Sequence, residues 1–236
     1  MLISGAIVVY NEGRCLRRAL ESLQRVCNEI VLVDSFSTDN TLDIARQYNC
    51  NIINHEFDNH RDQKNRAIEA CKNPWVLLLD ADEYLNNALA NNLNNGLLEQ
   101  LDANGIDALG IPRFNTLDGQ GPNGWPDHQT RIFRNYVRHF GHPFHHQTTG
   151  NAKKPAAVLD DKYGYIIHDK TLARQKRQNR MYYTMRPADF KGADGSTGNI
   201  DGIEGIIPDP NMPPDRMNMN VYQEYLLPNK DKIFEE

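Results

Sequence analysis

The chain has 236 residues, with 26 Lys and Arg against 31 Asp and Glu, a formal net charge of −5 and a mean hydropathy of −0.66. Its size suits one compact domain or one domain with a small appendage, and a mildly acidic chain without a Lys/Arg block lacks the electrostatic footprint of a nucleic-acid binder. The longest apolar runs, Ala6–Tyr10 and Trp75–Leu79, fall far short of the ~20 residues of a membrane-spanning helix, which leaves only peripheral contact with a membrane.

Taken in chain order, the first third alternates two periods. Ile3–Tyr10 is rich in β-formers and predicts a strand. Leu16, Ala19, Leu20 and Leu23 then recur at helical spacing. Glu29–Asp34 reads as a buried strand, Thr41–Tyr48 as a helix, Asn51–Glu56 as a third strand, Asp62–Lys72 as a helix and Trp75–Asp80 as a fourth strand. Near-continuous apolar strands alternating with helices imply a mostly parallel sheet covered on both faces, an α/β fold of Rossmann-like type. Right-handed crossovers then gather the strands' C-terminal ends at one edge, where ligands of such sheets bind.

Asn86–Ala103 predicts a helix, Ile106–Phe114 and Gln129–Arg134 predict strands around an Asn/Gly/Pro-rich loop, and Tyr163–His168 predicts another strand. Lys170–Met185 reads as a basic helix, most of it a solvated face, with Lys170 and Arg174 placed to reach an anion. From Pro187 the chain loses any period, as in a tail or lid. The expected division is a donor-binding half at 1–104, an acceptor-side half of the same domain at 105–186, and the tail at 187–236. Cys15, Cys27, Cys50 and Cys71 form no C-x-x-C pair and read as reduced thiols. Met1–Gly5 carries no basic or cleavage-site pattern, so a cytoplasmic chain without a signal peptide is expected.

The strongest chemical signal is Leu79-Asp80-Ala81-Asp82-Glu83 directly after the fourth strand. Three carboxylates in four positions repel and need a cation. A hard divalent ion, Mn2+ or Mg2+, would supply it and keep positions open for phosphate oxygens. Helix capping by Asp80 and Asp82 explains the same residues without a ligand. The polar residues at the other strand ends favour the functional reading.

Four motifs in this order, Val8-Val9-Tyr10-Asn11-Glu12, Val31–Asp39, Gln63-Lys64-Asn65-Arg66-Ala67 and Leu79–Glu83, resemble the inverting GT-A glycosyltransferases of family 2. Within that family the likeness is to small bacterial enzymes related to lipopolysaccharide-core glucosyltransferases. It continues through Trp125–Arg134 and Ile166–Lys170 and covers about residues 1–185. The resemblance implies a metal-dependent transferase that moves a sugar from a nucleotide donor, a UDP-sugar such as UDP-glucose, to a glycan or lipid-linked saccharide. It implies that Val9, Tyr10, Asn11 and Glu12 form the loop cradling the nucleotide and that Asp34 contacts the base or ribose. Gln63, Lys64 and Asn65 would line the nucleotide pocket. Asp80 and Ala81 would face the donor, Asp82 would hold the metal, and His168 would complete the metal or diphosphate site. Phe36 departs from the family, which usually has Gly there.

An inverting displacement needs a general base on the face opposite the diphosphate. Asp127 is the first candidate, after Trp125, whose ring could stack on a sugar, and before Arg131, which could pair with a carboxylate or phosphate. His145 or His146 is the second. The cluster of His139, His142, His145 and His146 fits no zinc spacing. Two other readings stand beside this one. A sugar nucleotidyltransferase would need a Gly-rich basic loop after the first strand, where the chain has Asn11-Glu12-Gly13-Arg14. A non-catalytic binding protein of the same fold is the other, since Gln147 stands where related enzymes often carry Glu.

Overall fold

The computed structural model describes residues 1–121, 127–141, 146–147 and 151–174. The strands are β1 (Ile3–Val9), β2 (Glu29–Asp34), β3 (Asn51–Asn54), β4 (Trp75–Asp80), β5 (Glu83–Leu85), β6 (Ala108–Leu117), β7 (Asp127–Arg134), β8 (Phe140–Gly141), β9 (His146–Gln147), β10 (Ala156–Val158) and β11 (Ile166–Lys170). The helices are α1 (Leu16–Gln24), α2 (Thr41–Gln47), α3 (His60–Glu69), α4 (Asn87–Asn94) and α5 (Leu97–Ala103). The main sheet has the order β3-β2-β1-β4-β7-β6-β11-β5, with β10 beside β6, while β8 and β9 form a separate two-stranded sheet.

The first four strands pair in parallel, as the alternating periods predict. Alternate residues of these strands serve two cores, because successive side chains leave opposite faces. Ile7, Leu32, Leu77 and Leu79 pack on one face with Leu16, Leu20 and Leu23 of α1. Ala6, Val31, Val33, Val76 and Leu78 pack on the other with Ala67 and Ile68 of α3. This two-sided burial is why β1, β2 and β4 are mostly apolar rather than alternating, whereas the edge strand β3 keeps exposed Asn51 and Asn54 at its ends.

Beyond β4 the sheet is mixed: β7 pairs with β4, β6 with β7 and β11 with β5 in antiparallel fashion, while β10 lies parallel to β6. The expected helix over Asn86–Ala103 is two helices, because Gly96 between them adopts φ +98, a left-handed conformation that favours glycine and interrupts the helix. The strand expected at Tyr163–His168 lies at Ile166–Lys170, preceded by a 3-10 turn over Asp161–Tyr163. Lys170 therefore ends a strand instead of beginning a helix. The basic helix beyond Arg174 and the tail from Pro187 lie outside the described residues.

Contacts divide the chain into two compact units, Met1–Phe114 with Pro126–His168, and Asn115–Trp125 with Asp169–Glu236. The first holds both cores. In the second, Asp118 stitches the described residues together. Its amide donates to the Lys170 carbonyl (2.9 Å), and its Oδ1 accepts from the Leu172 amide (3.1 Å).

Candidate functional site at the carboxyl edge of the parallel strands

Register brings the strand ends together. Val9 lies opposite Asp34, Val8 opposite Asp80, and Asp34 opposite Asn54. The loops after β1 and β2 are then tied to each other. The Ser35 amide donates to the Val9 carbonyl (3.0 Å), the Asn11 amide to Ser37 Oγ (2.9 Å) and the Thr38 amide to Asn11 Oδ1 (2.8 Å). The Glu12 amide donates to Thr41 Oγ1 (2.8 Å). Between these ties Tyr10 and Phe36 are 55% and 59% exposed. Phe36 holds φ +62. This explains why glycine suits that position, since the left-handed region costs an L-residue about 1–2 kcal/mol.

Asp34 is fully buried. Its Oδ2 accepts from the Ser37 amide (2.9 Å), while Oδ1 has no hydrogen-bond partner among the described residues. A buried carboxylate oxygen without a donor is costly unless a water or a ligand N–H or O–H meets it. Gln63 is also buried, and its Nε2 donates to Ser35 Oγ (2.9 Å) and the His55 carbonyl (3.1 Å). It braces the loop that carries Asp34. Asn65 uses both ends of its amide on the main chain of His139. Nδ2 donates to the carbonyl (2.9 Å), and Oδ1 accepts from the amide (2.8 Å).

The carboxylates after β4 find their cations inside the protein. Asp80 pairs with Lys64 Nζ (2.9 Å) and with an Arg131 terminal nitrogen (2.8 Å). Burial opposes its ionisation, but the charges of Arg131 and Lys64 outweigh this and hold the carboxyl well below the usual carboxylate range. Glu83 accepts from Arg131 (2.6 Å) and Arg113 (3.0 Å). Arg113 also grips Asp127 Oδ2 through Nε (2.8 Å) and a terminal nitrogen (2.6 Å), and Gln129 Nε2 donates to Asp127 Oδ1 (2.7 Å). The cation demanded by crowded carboxylates is thus largely guanidinium, supplied by β6 and β7. Sequence reasoning missed Glu83 and Arg113 as site residues. The signal for Glu83 was its place as the third acid of the cluster, whereas Arg113 had none. Arg131 is buried, and one of its terminal nitrogens donates to both Asp80 and Glu83.

Asp82 stands apart from that set. Pairing of β11 with β5 sets His168 opposite Glu83 and brings its Nε2 to 3.3 Å from Asp82 Oδ2. Both side chains are buried, as is Ala81 between the two aspartates. Among the described residues no third His, Cys or carboxylate joins them in a cluster able to hold a metal. An oxygen and a nitrogen at this separation match two adjacent ligand positions on an ion with bonds of about 2.1 Å, which lie about 3 Å apart. Trp125 and His145 lie outside the described residues, and His146 is described only as part of β9, opposite Gly141.

The sequence model of the family described as Glycosyl transferase family 2 matches residues 4–152. An uncharacterized glycosyltransferase of Rickettsia felis is 38% identical over 87 residues, which is 37% of this chain and 31% of the relative. The lipopolysaccharide core biosynthesis glycosyltransferase LpsC of Rhizobium meliloti is 38% identical over 92 residues, 37% of this chain and 34% of the relative. The matched region thus spans about a third of the length of these curated relatives. Among solved structures, residues 1–349 of S. aureus TarS superimpose with a TM-score of 0.52 at 20% identity, covering 86% of this chain and 70% of that one. This likeness shows the GT-A architecture expected from the motifs. With the family model spanning more than half of its length, the chain belongs to glycosyl transferase family 2.

Proposed function

We propose that the chain is a metal-dependent, inverting glycosyltransferase that moves a sugar from a nucleotide donor, a UDP-sugar such as UDP-glucose, to a hydroxyl of a glycan or lipid-linked saccharide. The observation that carries this reading is the buried Asp82–His168 pair at the edge where Asp34 keeps an oxygen without a partner among the described residues. TarS has been crystallised with UDP and with UDP-GlcNAc, which supports a uridine donor here.

In this reading Asp34 Oδ1 receives an N–H or O–H of the base or ribose, with Tyr10, Asn11 and Glu12 forming the adjoining loop. Asp80, ionised by Lys64 and Arg131, accepts from donor hydroxyls. Asp82 and His168 would hold Mn2+ or Mg2+, which neutralises charge on the departing diphosphate when bound. Asp127 takes the proton of the attacking hydroxyl, its carboxylate oriented by Arg113 and Gln129.

Titration calorimetry of the purified chain with UDP, with and without Mn2+, tests the donor site. Saturable binding that needs the metal and weakens at least about 100-fold in Asp82→Ala is expected. Equal binding in EDTA would overturn the metal role, and an absence of UDP release with any UDP-sugar and saccharide acceptor would overturn the transferase reading.

A further inference from the structure

Six side chains of alternating charge form one line through the floor of the site. Ion pairs join Lys64 to Asp80 (2.9 Å), Asp80 to Arg131 (2.8 Å), Arg131 to Glu83 (2.6 Å), Glu83 to Arg113 (3.0 Å) and Arg113 to Asp127 (2.6 Å). The line crosses α3, β4, β7, β5 and β6 and returns to β7. Its two outer carboxylates are those placed above at the donor and at the attacking hydroxyl.

Glu83 is the centre. It is 0% exposed. Its Oε1 accepts from both guanidiniums, and its Oε2 accepts from the main-chain amide of Asp80 (3.0 Å). An apolar side chain would fill this place at lower desolvation cost. What it could not do is bring two guanidiniums to one point, since like charges repel without an anion between them. Each guanidinium in turn grips one outer carboxylate. Arg113 does so in register, lying opposite Asp127 across the β6–β7 pair. Arg131 reaches Asp80 from four residues further along the same strand.

We propose that Glu83 is a positioning residue of the transfer reaction: it touches neither donor nor acceptor, and it holds Asp80 and Asp127 in one geometry by gripping the arginine bound to each. The proposal rests on the transferase reading above and extends it. Donor and acceptor carboxylates are joined through Glu83, so losing Glu83 disturbs both. In Glu83→Gln the amide presents N–H groups either to two guanidiniums or to the Asp80 amide, so one side of the grip is lost.

The test is steady-state kinetics on Glu83→Gln, Asp127→Asn and the double variant, with a UDP-sugar and saccharide acceptor that the wild-type chain turns over. Glu83→Gln is expected to lower kcat/KM about 100-fold, the scale of a small misplacement of reacting groups. In the Asp127→Asn background the same substitution should cost only about 10-fold, because the Asp127 arm is already lost and only the Asp80 arm is left to disturb. Costs that multiply in the double variant, or a Glu83→Gln enzyme at the wild-type rate, would overturn the proposal. If Glu83→Gln does not fold, Arg113→Lys replaces it, keeping the charge and losing the fork. The expectation is then a loss of about 10-fold alone and none beyond about 3-fold in the Asp127→Asn background, and multiplied costs again overturn the role. A folded wild-type chain with no turnover on any such pair would overturn the transferase reading and this role together, whereas active wild type with additive costs would overturn the role alone.

Discussion

At the scale of single residues, the site assigns different work to carboxylates that look alike in sequence. Asp80, Asp82 and Glu83 lie within four positions, yet one is held ionised by Lys64 and Arg131, one faces His168, and one binds two arginines. Asp127 belongs to the same set through Arg113. If it receives the proton, Asp127→Asn keeps the shape and loses the acceptor, so kcat should fall by about 100- to 10,000-fold with donor affinity within about 3-fold of wild type. Single-turnover rates beside calorimetry with UDP check this, and an unchanged kcat would move the base elsewhere. The expectation that Asn65 lines a nucleotide pocket meets a different geometry, since its amide is committed to His139 at both ends. A side-chain amide suits either use, and only the fold distinguishes them.

At the scale of elements, two local devices hold the site's supports. Helix α3, which carries Gln63, Lys64 and Asn65, begins with Asn59 Oδ1 accepting from the Asp62 amide (2.9 Å), while Asn59 Nδ2 donates back to Asp62 Oδ2 (2.7 Å). Hydrogen bonds from Arg61 and then Asn59 hold the Asp62 carboxyl down to about 2, from an ordinary 3.8. A depressed folded-state value stabilises the fold above the unfolded value, and that advantage is lost as pH falls through the folded one. The stability advantage of wild type over Asp62→Asn should therefore be constant above pH of about 4 and shrink toward pH of about 2. Urea unfolding midpoints across that range report it, and a difference that persists below pH of about 2 would refute the assignment. The second device is Gly164 at φ +122, where a Cβ would run into the main chain of Leu89 at the start of α4. Gly164→Ala should cost at least about 2 kcal/mol by chemical denaturation. A neutral result would mean that the turn into β11, and with it His168, is not set by this contact.

At the scale of the whole molecule, the parallel strands separate two apolar layers. Leu77 and Leu78 are adjacent and fully buried, one in each layer. Leu77→Ala and Leu78→Ala should each lower unfolding free energy by about 2–5 kcal/mol. A loss confined to one of them, measured by equilibrium denaturation, would show that one face carries the fold. Among the described residues no helix is long and apolar enough to cross a membrane.

The apolar runs alone determine β1, β2 and β4, because a strand buried on both faces must be almost wholly apolar, and they place Asp34 and Asp80 at a common edge, whereas the edge strand β3, with exposed Asn51 and Asn54, is marked more weakly. They also yield the helices between those strands, whose 3.6-residue period is local. The antiparallel insertion of β7 and β6, the short β5 and the arrival of β11 beside it were decided only by tertiary structure, since pairing between residues 14 to 85 positions apart has no local signature. The site's charges follow the same division. Sequence shows that the carboxylates after β4 need cations. That three of those cations are Lys64, Arg113 and Arg131, and that Asp82 meets His168, depends on strand register, which brings partners 16 to 86 residues apart within hydrogen-bond reach.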